Sequence, residues 1–482
     1  MASAEITTGL PVAMEADVVV LAEDDEAIHP TGILDLPDEI LENIFARISP
    51  YNDLDSIQLV CKRWYNVSKK VISSLQSNFE QSVIDGNLQC EVISAPIPEQ
   101  GQRLPACISE RFGHMCGYYD KAIYVVGGTT NTPTTFNDMW KFDLSKRAWS
   151  RCLASGQYPT PKALASIVQY KDNLVLFGGW AHPPPYPLMQ PWRIFDELHI
   201  YNFGTNKWTC IVTNNSPHPS AGHSASVHDD KMVVFGGRTF DKQEQSFPIS
   251  NSTWIFDFQI QEWYPITTNS GPAPRYGQTQ ISLDGSRLLV VGGCGGPNQI
   301  FSDVWLLTFT ENRIGKYSGT WERMKLAGDE GSVPNDFHYA GCKIGSSVSF
   351  FERSSPISPF LAFLHFESAS SVPPEQNELT FEASRSRSYF HSRCTSGLRR
   401  QSYTTMPLYS MDISKVLTDK TVTWSKEPQP LKFTRPNERL LYTMVTGRAE
   451  IILFGGFFKQ PNGRQCQVSS DVFILKTVHR SY

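Results

Sequence analysis

Five times in this chain a short apolar run stops on two glycines: AIYVVGG ending at Gly128, NLVLFGG at Gly179, KMVVFGG at Gly237, RLLVVGG at Gly293 and EIILFGG at Gly456. An uninterrupted apolar run of this length, bounded by glycine, reads as a strand covered on both faces and followed by a tight turn. One such unit cannot cover both of its own faces. A chain that repeats it solves the problem by stacking the copies side by side, and a fixed period is the signature of that solution.

More of the unit emerges when the doublets are aligned. Each is followed by a loop, a second strand rich in aromatic and acidic residues, and a lone tryptophan. The first four copies carry FNDMWKFDL and Trp149, FDELHIYNF and Trp208, NSTWIFDF and Trp263, and FSDVWLLTF and Trp321. Ahead of the doublets lie opening strands at RFGHM (Arg111), PKALA (Pro161), SAGHS (Ser220) and RYGQT (Arg275). The period is roughly 55 residues, within the range of propellers and arrays. Antiparallel sheets buried on both faces explain why the strands read as apolar runs rather than alternations. The doublet permits positive φ and close approach to a neighbouring sheet. Each tryptophan buries on the order of 150–250 Å², worth roughly 4–6 kcal/mol before entropy is subtracted.

The unit resembles the kelch repeat, in which four strands make one blade of a β-propeller. The resemblance implies a mainly β fold, a six-bladed propeller preceded by a small α-helical domain. Blades are expected near 105–153, 160–212, 219–267, 274–325, 336–428 and 438–476. The fifth copy, FHYAGCKIGSSVSFF, lacks a doublet and resumes at MPLYSMDI and Trp424; the intervening Ser/Arg/Pro-rich stretch, 352–405, reads as a disordered insertion. The last copy ends before its tryptophan strand. An open edge is a liability, so LQCEVIS (Leu88 to Ser94) is expected to close it, with Cys90 where other copies place tryptophan.

Residues 1–32 read as a disordered acidic tail, 33–70 as a helical unit and 71–87 as a helical linker. Pro37 suits a first helical turn, Asp38 and Glu39 the positive end of its dipole, and Ile40, Leu41, Ile44, Phe45 and Ile48 one apolar face. Leu59, Val60, Trp64, Val67, Val71, Leu75, Phe79 and Val83 mark a later helix that reads as a stem toward the repeats. So small a unit shows more apolar surface than it can hide. The stretch resembles an F-box, with Leu36-Pro37, Ile40-Leu41, Ile44-Phe45, Leu54 and Val60-Cys61-Lys62-Arg63-Trp64 at signature positions and Ser49-Pro50-Tyr51-Asn52 departing from the commonest linker. That resemblance implies a Skp1-type adaptor as partner and, through it, a cullin. Its adaptor-binding residues are Leu36, Pro37, Ile40, Leu41, Ile44, Phe45, Leu59, Val60, Cys61 and Trp64.

A protein substrate is expected on the face that carries the doublet loops and the connections between copies, which kelch receptors commonly use. The loop WAHPPPYPLMQPWR is stiffened by proline and rich in interface residue types. Candidate binding residues are Trp180, Tyr186, Trp192, Arg193, Arg238, Phe240, Arg275, Tyr276, Phe457 and Phe458.

Other chemistry is weakly signalled. The formal net charge of −5 gives no general attraction to nucleic acid or an anionic membrane. Ten scattered cysteines contain no CxxC pair, and the only early apolar patch, Val18 to Leu21, is too short for a signal peptide; a cytosolic or nuclear protein is expected. VVGGCGGPN is glycine-rich but lacks the strand and helix of a phosphate cradle. His114 and His223 occupy equivalent repeat positions, which points to packing rather than catalysis. No cofactor and no metal is expected, and the chain reads as a non-catalytic substrate receptor of a ubiquitin ligase. A ubiquitin-independent scaffold or a propeller enzyme are the alternative readings.

Overall fold

The computed structural model describes residues 32–95, 106–132, 134–183, 193–241, 244, 246–268, 270–296, 299–312, 315–328, 340–351, 405–426, 436–459 and 466–478. The expected tail before residue 32, the insertion up to residue 404, Tyr186 and Trp192 lie outside them.

Three helices come first: α1 (Asp38–Phe45), α2 (Asn52–Gln58) and α3 (Lys62–Ile84). Pro37 holds extended backbone before α1, and Asp38 and Glu39 occupy the first turn. The Cys61 thiol caps α3 by accepting the Trp64 N–H at 3.4 Å. Leu41, Phe45, Leu54, Val67 and Val71 form the core between the three. The 23 residues of α3 span roughly 35 Å. That helix is continuous, so the expected boundary at residue 70 falls inside it, and only Asp85–Asn87 separates its end from the strand Leu88–Ile93.

The rest is mainly β in a propeller-like arrangement. In the first copy Met115–Tyr119, Ala122–Val126, Met139–Asp143 and Ala148–Cys152 pair antiparallel in chain order. The same order recurs downstream, with Gly341–Ile344, Ser347–Phe351, Leu408–Asp412 and Thr421–Lys426 in the copy that lacks a doublet. In the last copy Thr443–Thr446, Glu450–Phe454 and Val472–Thr477 are followed by Leu88–Ile93 from the other end of the chain, with Cys90 opposite Leu475.

Copies do not map one-to-one onto sheets. The third and fourth share an eight-stranded sheet, because the chain leaving the tryptophan strand Glu262–Thr268 pairs in parallel with the next tryptophan strand, Ile266 opposite Tyr317. Shorter parallel pairs do the same elsewhere: Ser155–Gly156 lies on Lys207–Trp208, and Lys325–Gly328 on Thr421–Trp424.

The tryptophans pack backwards onto the preceding copy. Trp263 lies 4.8 Å from Phe177 and Trp321 lies 5.1 Å from Phe235, each against the residue before a doublet. Trp149 of the first copy lies 4.9 Å from Phe454 of the last. The last doublet repeats this join: Gly456 N–H donates to the Arg111 carbonyl at 2.9 Å. At Gly455, φ is +67°, and a Cβ would meet the His114 ring at 2.7 Å and the Arg111 carbonyl at 2.8 Å. Any larger residue there would push the last copy off the first.

Candidate partner-binding surfaces

The helical unit sorts its apolar residues into two groups. Leu41 and Phe45 are buried, and the Phe45 ring meets Trp64 edge-on at 5.2 Å, so these side chains hold the helices together. Of the expected adaptor set, Pro37, Ile40, Ile44, Leu59, Val60 and Cys61 are exposed, while Leu36 and Trp64 are half-buried. Leu59 is 88% exposed and Val60 56%, far more than a satisfied core allows. The sequence reading missed Ile33, Leu34 and Tyr65, which are exposed on the same unit. Its signal was visible in the run GILDLP ahead of α1. Arg63 pins that run in place, donating to the Leu34 carbonyl at 2.7 Å and to Asp38 at 2.7 Å.

On the doublet-loop face the expected set divides again. Arg275 is not available for binding: its side chain is fully buried, donating to Asp303 at 2.6 and 3.1 Å and to the Gly292 carbonyl at 2.8 Å, with the guanidinium over Phe301. Burial works against the Asp303 charge, but the Arg275 hydrogen bonds hold its carboxyl below the usual range. Arg111 repeats the arrangement with Asp138, Gly127 and Phe136, and Lys162 pairs with Glu197 at 2.8 Å. Tyr276 is buried as well, beside Cys294, and Trp180 is 4% exposed between Ala163 and Ala221. These residues order the loops rather than present themselves. Arg193 is exposed, whereas Arg238, Phe240, Phe457 and Phe458 are half-buried. Around the buried Tyr276, Cys294 and Leu441, half-buried Phe112, Leu164, Ile249, Ile300, Leu440 and Phe457 form an apolar floor to the face. A chain of backbone bonds runs beneath it, each N–H donating to the previous copy's carbonyl: Gly113 to Leu441, Leu164 to Gly113, Gly222 to Leu164 and Gly277 to Gly222, at 2.8–2.9 Å.

Comparison with known proteins fits this geometry. Residues 33–72 match the family model for an F-box-like domain, and residues 111–314 match the one described as FBX42, beta-propeller domain. These matches support an F-box/kelch protein resembling F-box only protein 42. Mouse Kelch domain-containing protein 1 is 27% identical over 236 residues, 45% of this chain and 54% of the relative. Bovine Kelch domain-containing protein 3 is 24% identical over 253 residues, 51% of this chain and 62% of the relative. The chain thus spans less than two thirds of either relative. The solved structure of YjhT aligns with a TM-score of 0.48 at 18% identity, covering 78% of this chain and 98% of that one.

The F-box and the doublet-loop face lie at opposite ends of the strands. Successive antiparallel strands put the doublet turns and the connections between copies at one end, and the remaining turns at the other. It is the second end that the F-box touches, through Lys121, Arg448 and Glu450. Between the ends, a cavity of about 160 Å³ is lined by His114, His223, Gln278 and Tyr442. His114 bonds Thr443 at 2.7 Å and His223 bonds Ser166 at 2.9 Å, and burial pushes both imidazoles down, His223 to about 4. Neither is paired with a carboxylate in these contacts. Among the described residues no group of three or more His, Cys, Asp or Glu side chains is placed to hold a metal.

Proposed function

We propose that this chain is the substrate-recognition subunit of an SCF-type ubiquitin ligase. The F-box binds a Skp1-type adaptor and through it a cullin, and the propeller holds a protein substrate. The observation that carries this reading is the exposed apolar strip of Ile40, Ile44, Leu59 and Val60, at the end of the molecule away from the doublet loops. The chain catalyses nothing itself on this reading; the rate gain comes from holding a target near activated ubiquitin. The propeller is read as a six-bladed ring closed by Leu88–Ile93, a reading supported by the Trp149–Phe454 and Gly456–Arg111 contacts between last and first copies. Substrate contacts are assigned to Arg193, Arg238, Phe240, Phe457 and Phe458 around the apolar floor. We place the protein in the cytosol or nucleus, where thiols such as exposed Cys61 and Cys107 stay reduced.

Reconstitution tests the reading. The chain, a Skp1-type adaptor, a cullin with its RING partner, a conjugating enzyme and ubiquitin are mixed, and assembly and ubiquitin transfer are followed. Co-elution as one complex with transfer to a propeller-bound protein is expected. A chain that stays apart from the adaptor at micromolar concentrations overturns the assignment.

A further inference from the structure

The loop between α1 and α2 departs from the usual F-box linker, and the structure gives the departure a purpose. Tyr51 is fully buried, but not among the helices. Its ring enters a cluster of sheet residues including Ile123, Phe142, Ile452 and Phe454, and its hydroxyl donates to Glu450. Glu450 is itself held by Arg147 at 2.9 and 3.2 Å. Arg448 reaches back, donating to the Pro50 carbonyl at 3.1 Å and to Asp55 at 2.6 Å, and Lys121 meets the same Asp55 at 2.8 Å. Gly447 completes the fit, since a Cβ there would stand 2.6 Å from the Tyr51 hydroxyl.

A second attachment lies at the far end of α3. Phe79 and Val83 pack into a cluster with Cys342, Ile344, Met444 and Leu475, and Glu80 closes on Gly345. One attachment would leave a pivot. Two, one at the α1–α2 loop and α2 and the other on the last turns of α3, remove it.

We propose that Tyr51, Arg448, Asp55 and Glu450 are positioning residues that fix the orientation of the F-box relative to the propeller. An adaptor on the exposed strip and a target on the doublet-loop face are then held at one separation, rather than over the range a hinged stem would sample. This inference rests on the ligase reading for its use, though not for its geometry. Loss of the Tyr51 hydroxyl and of the Arg448 guanidinium strips the first attachment of its Glu450, Pro50 and Arg448–Asp55 bonds, leaving the ring at position 51 and the Lys121–Asp55 pair beside the Phe79 and Val83 anchor, and the F-box swings over a wider range.

Pulsed electron–electron resonance on the full chain tests this. The free cysteines rule out thiol labels, so spin labels go on ketone-bearing side chains placed at exposed Arg47 and Lys207. The wild type is expected to give one narrow distance peak. Tyr51→Phe with Arg448→Met is expected to widen it at least about twofold while the propeller's melting temperature holds within a few degrees. Should the double variant unfold, Tyr51→Phe alone is read by the same criterion. A broad wild-type distribution, or equal widths in wild type and folded variant, overturns the proposal. Binding of a purified Skp1-type adaptor is measured in parallel and is expected to be the same in both forms. Absence of binding in both counts against the ligase reading and leaves the distance result standing.

Discussion

The helical unit and the sheets treat the same kinds of residue in opposite ways. In the doublet strands Val125, Val175, Val233, Leu289 and Ile451 are fully buried, and even charged Arg111 and Arg275 are out of water. In the helical unit, directly after the end of α2 and beside a sound core, Leu59 and Val60 stand in solvent. A repeat carries its neighbours in its own sequence and can finish its burial by itself. A unit of about forty residues cannot, and what it leaves exposed marks the surface where another protein belongs.

That contrast can be broken at several points. The largest effect is expected from Arg275→Ala, which leaves the half-buried Asp303 carboxylate without its cation, bonded by the Trp305 indole, and removes the donor to the Gly292 carbonyl; the loss should be about 3–5 kcal/mol by chemical denaturation. A loss under about 1 kcal/mol would return Arg275 to the binding set. Acid comes next. His223 is held neutral to about pH 4, whereas in the unfolded chain it protonates near its ordinary value, so the unfolded state binds the proton first. Stability is therefore full above about pH 6.5 and falls as pH drops toward 4, by on the order of 3 kcal/mol. His114 is pushed the same way. His223→Gln, which copies Gln278 at the equivalent position of the fourth copy, should flatten part of that slope in melting curves taken across the range.

The smaller effects belong to the exposed surfaces. Leu59→Glu with Val60→Glu should weaken a purified Skp1-type adaptor by about 2 kcal/mol, roughly 30-fold by calorimetry, with folding stability within about 0.5 kcal/mol. Arg193→Ala should also leave stability within about 0.5 kcal/mol while reducing capture of whatever protein the doublet-loop face holds. A large stability change in either variant would mean that the surface is part of the fold.

The doublets and tryptophans made the repeat legible, because each copy restates the same local rule and the rule concerns neighbours in sequence. The F-box was legible for a similar reason: its signature is contiguous. What escaped was long-range pairing. Arg275 looked like an interface residue because its carboxylate lies 28 positions away, yet the offset was there to be read: Asp138 follows Arg111 by 27. Leu164 and Leu441 hide differently. They adopt φ of +52° and +53° where Gly113, Gly222 and Gly277 serve other copies, so no glycine marks the turn. Tyr51 was invisible as an anchor, since its acceptor Glu450 is 399 residues off and belongs to another unit.

The most direct test of two surfaces serving two partners is capture from cell lysate on the wild-type chain and on Leu59→Glu/Val60→Glu, with bound proteins quantified by mass spectrometry. The account predicts that adaptor and cullin disappear from the variant while other captured proteins are retained at the wild-type level. Adaptor kept by the variant, or missing from the wild type, would contradict it.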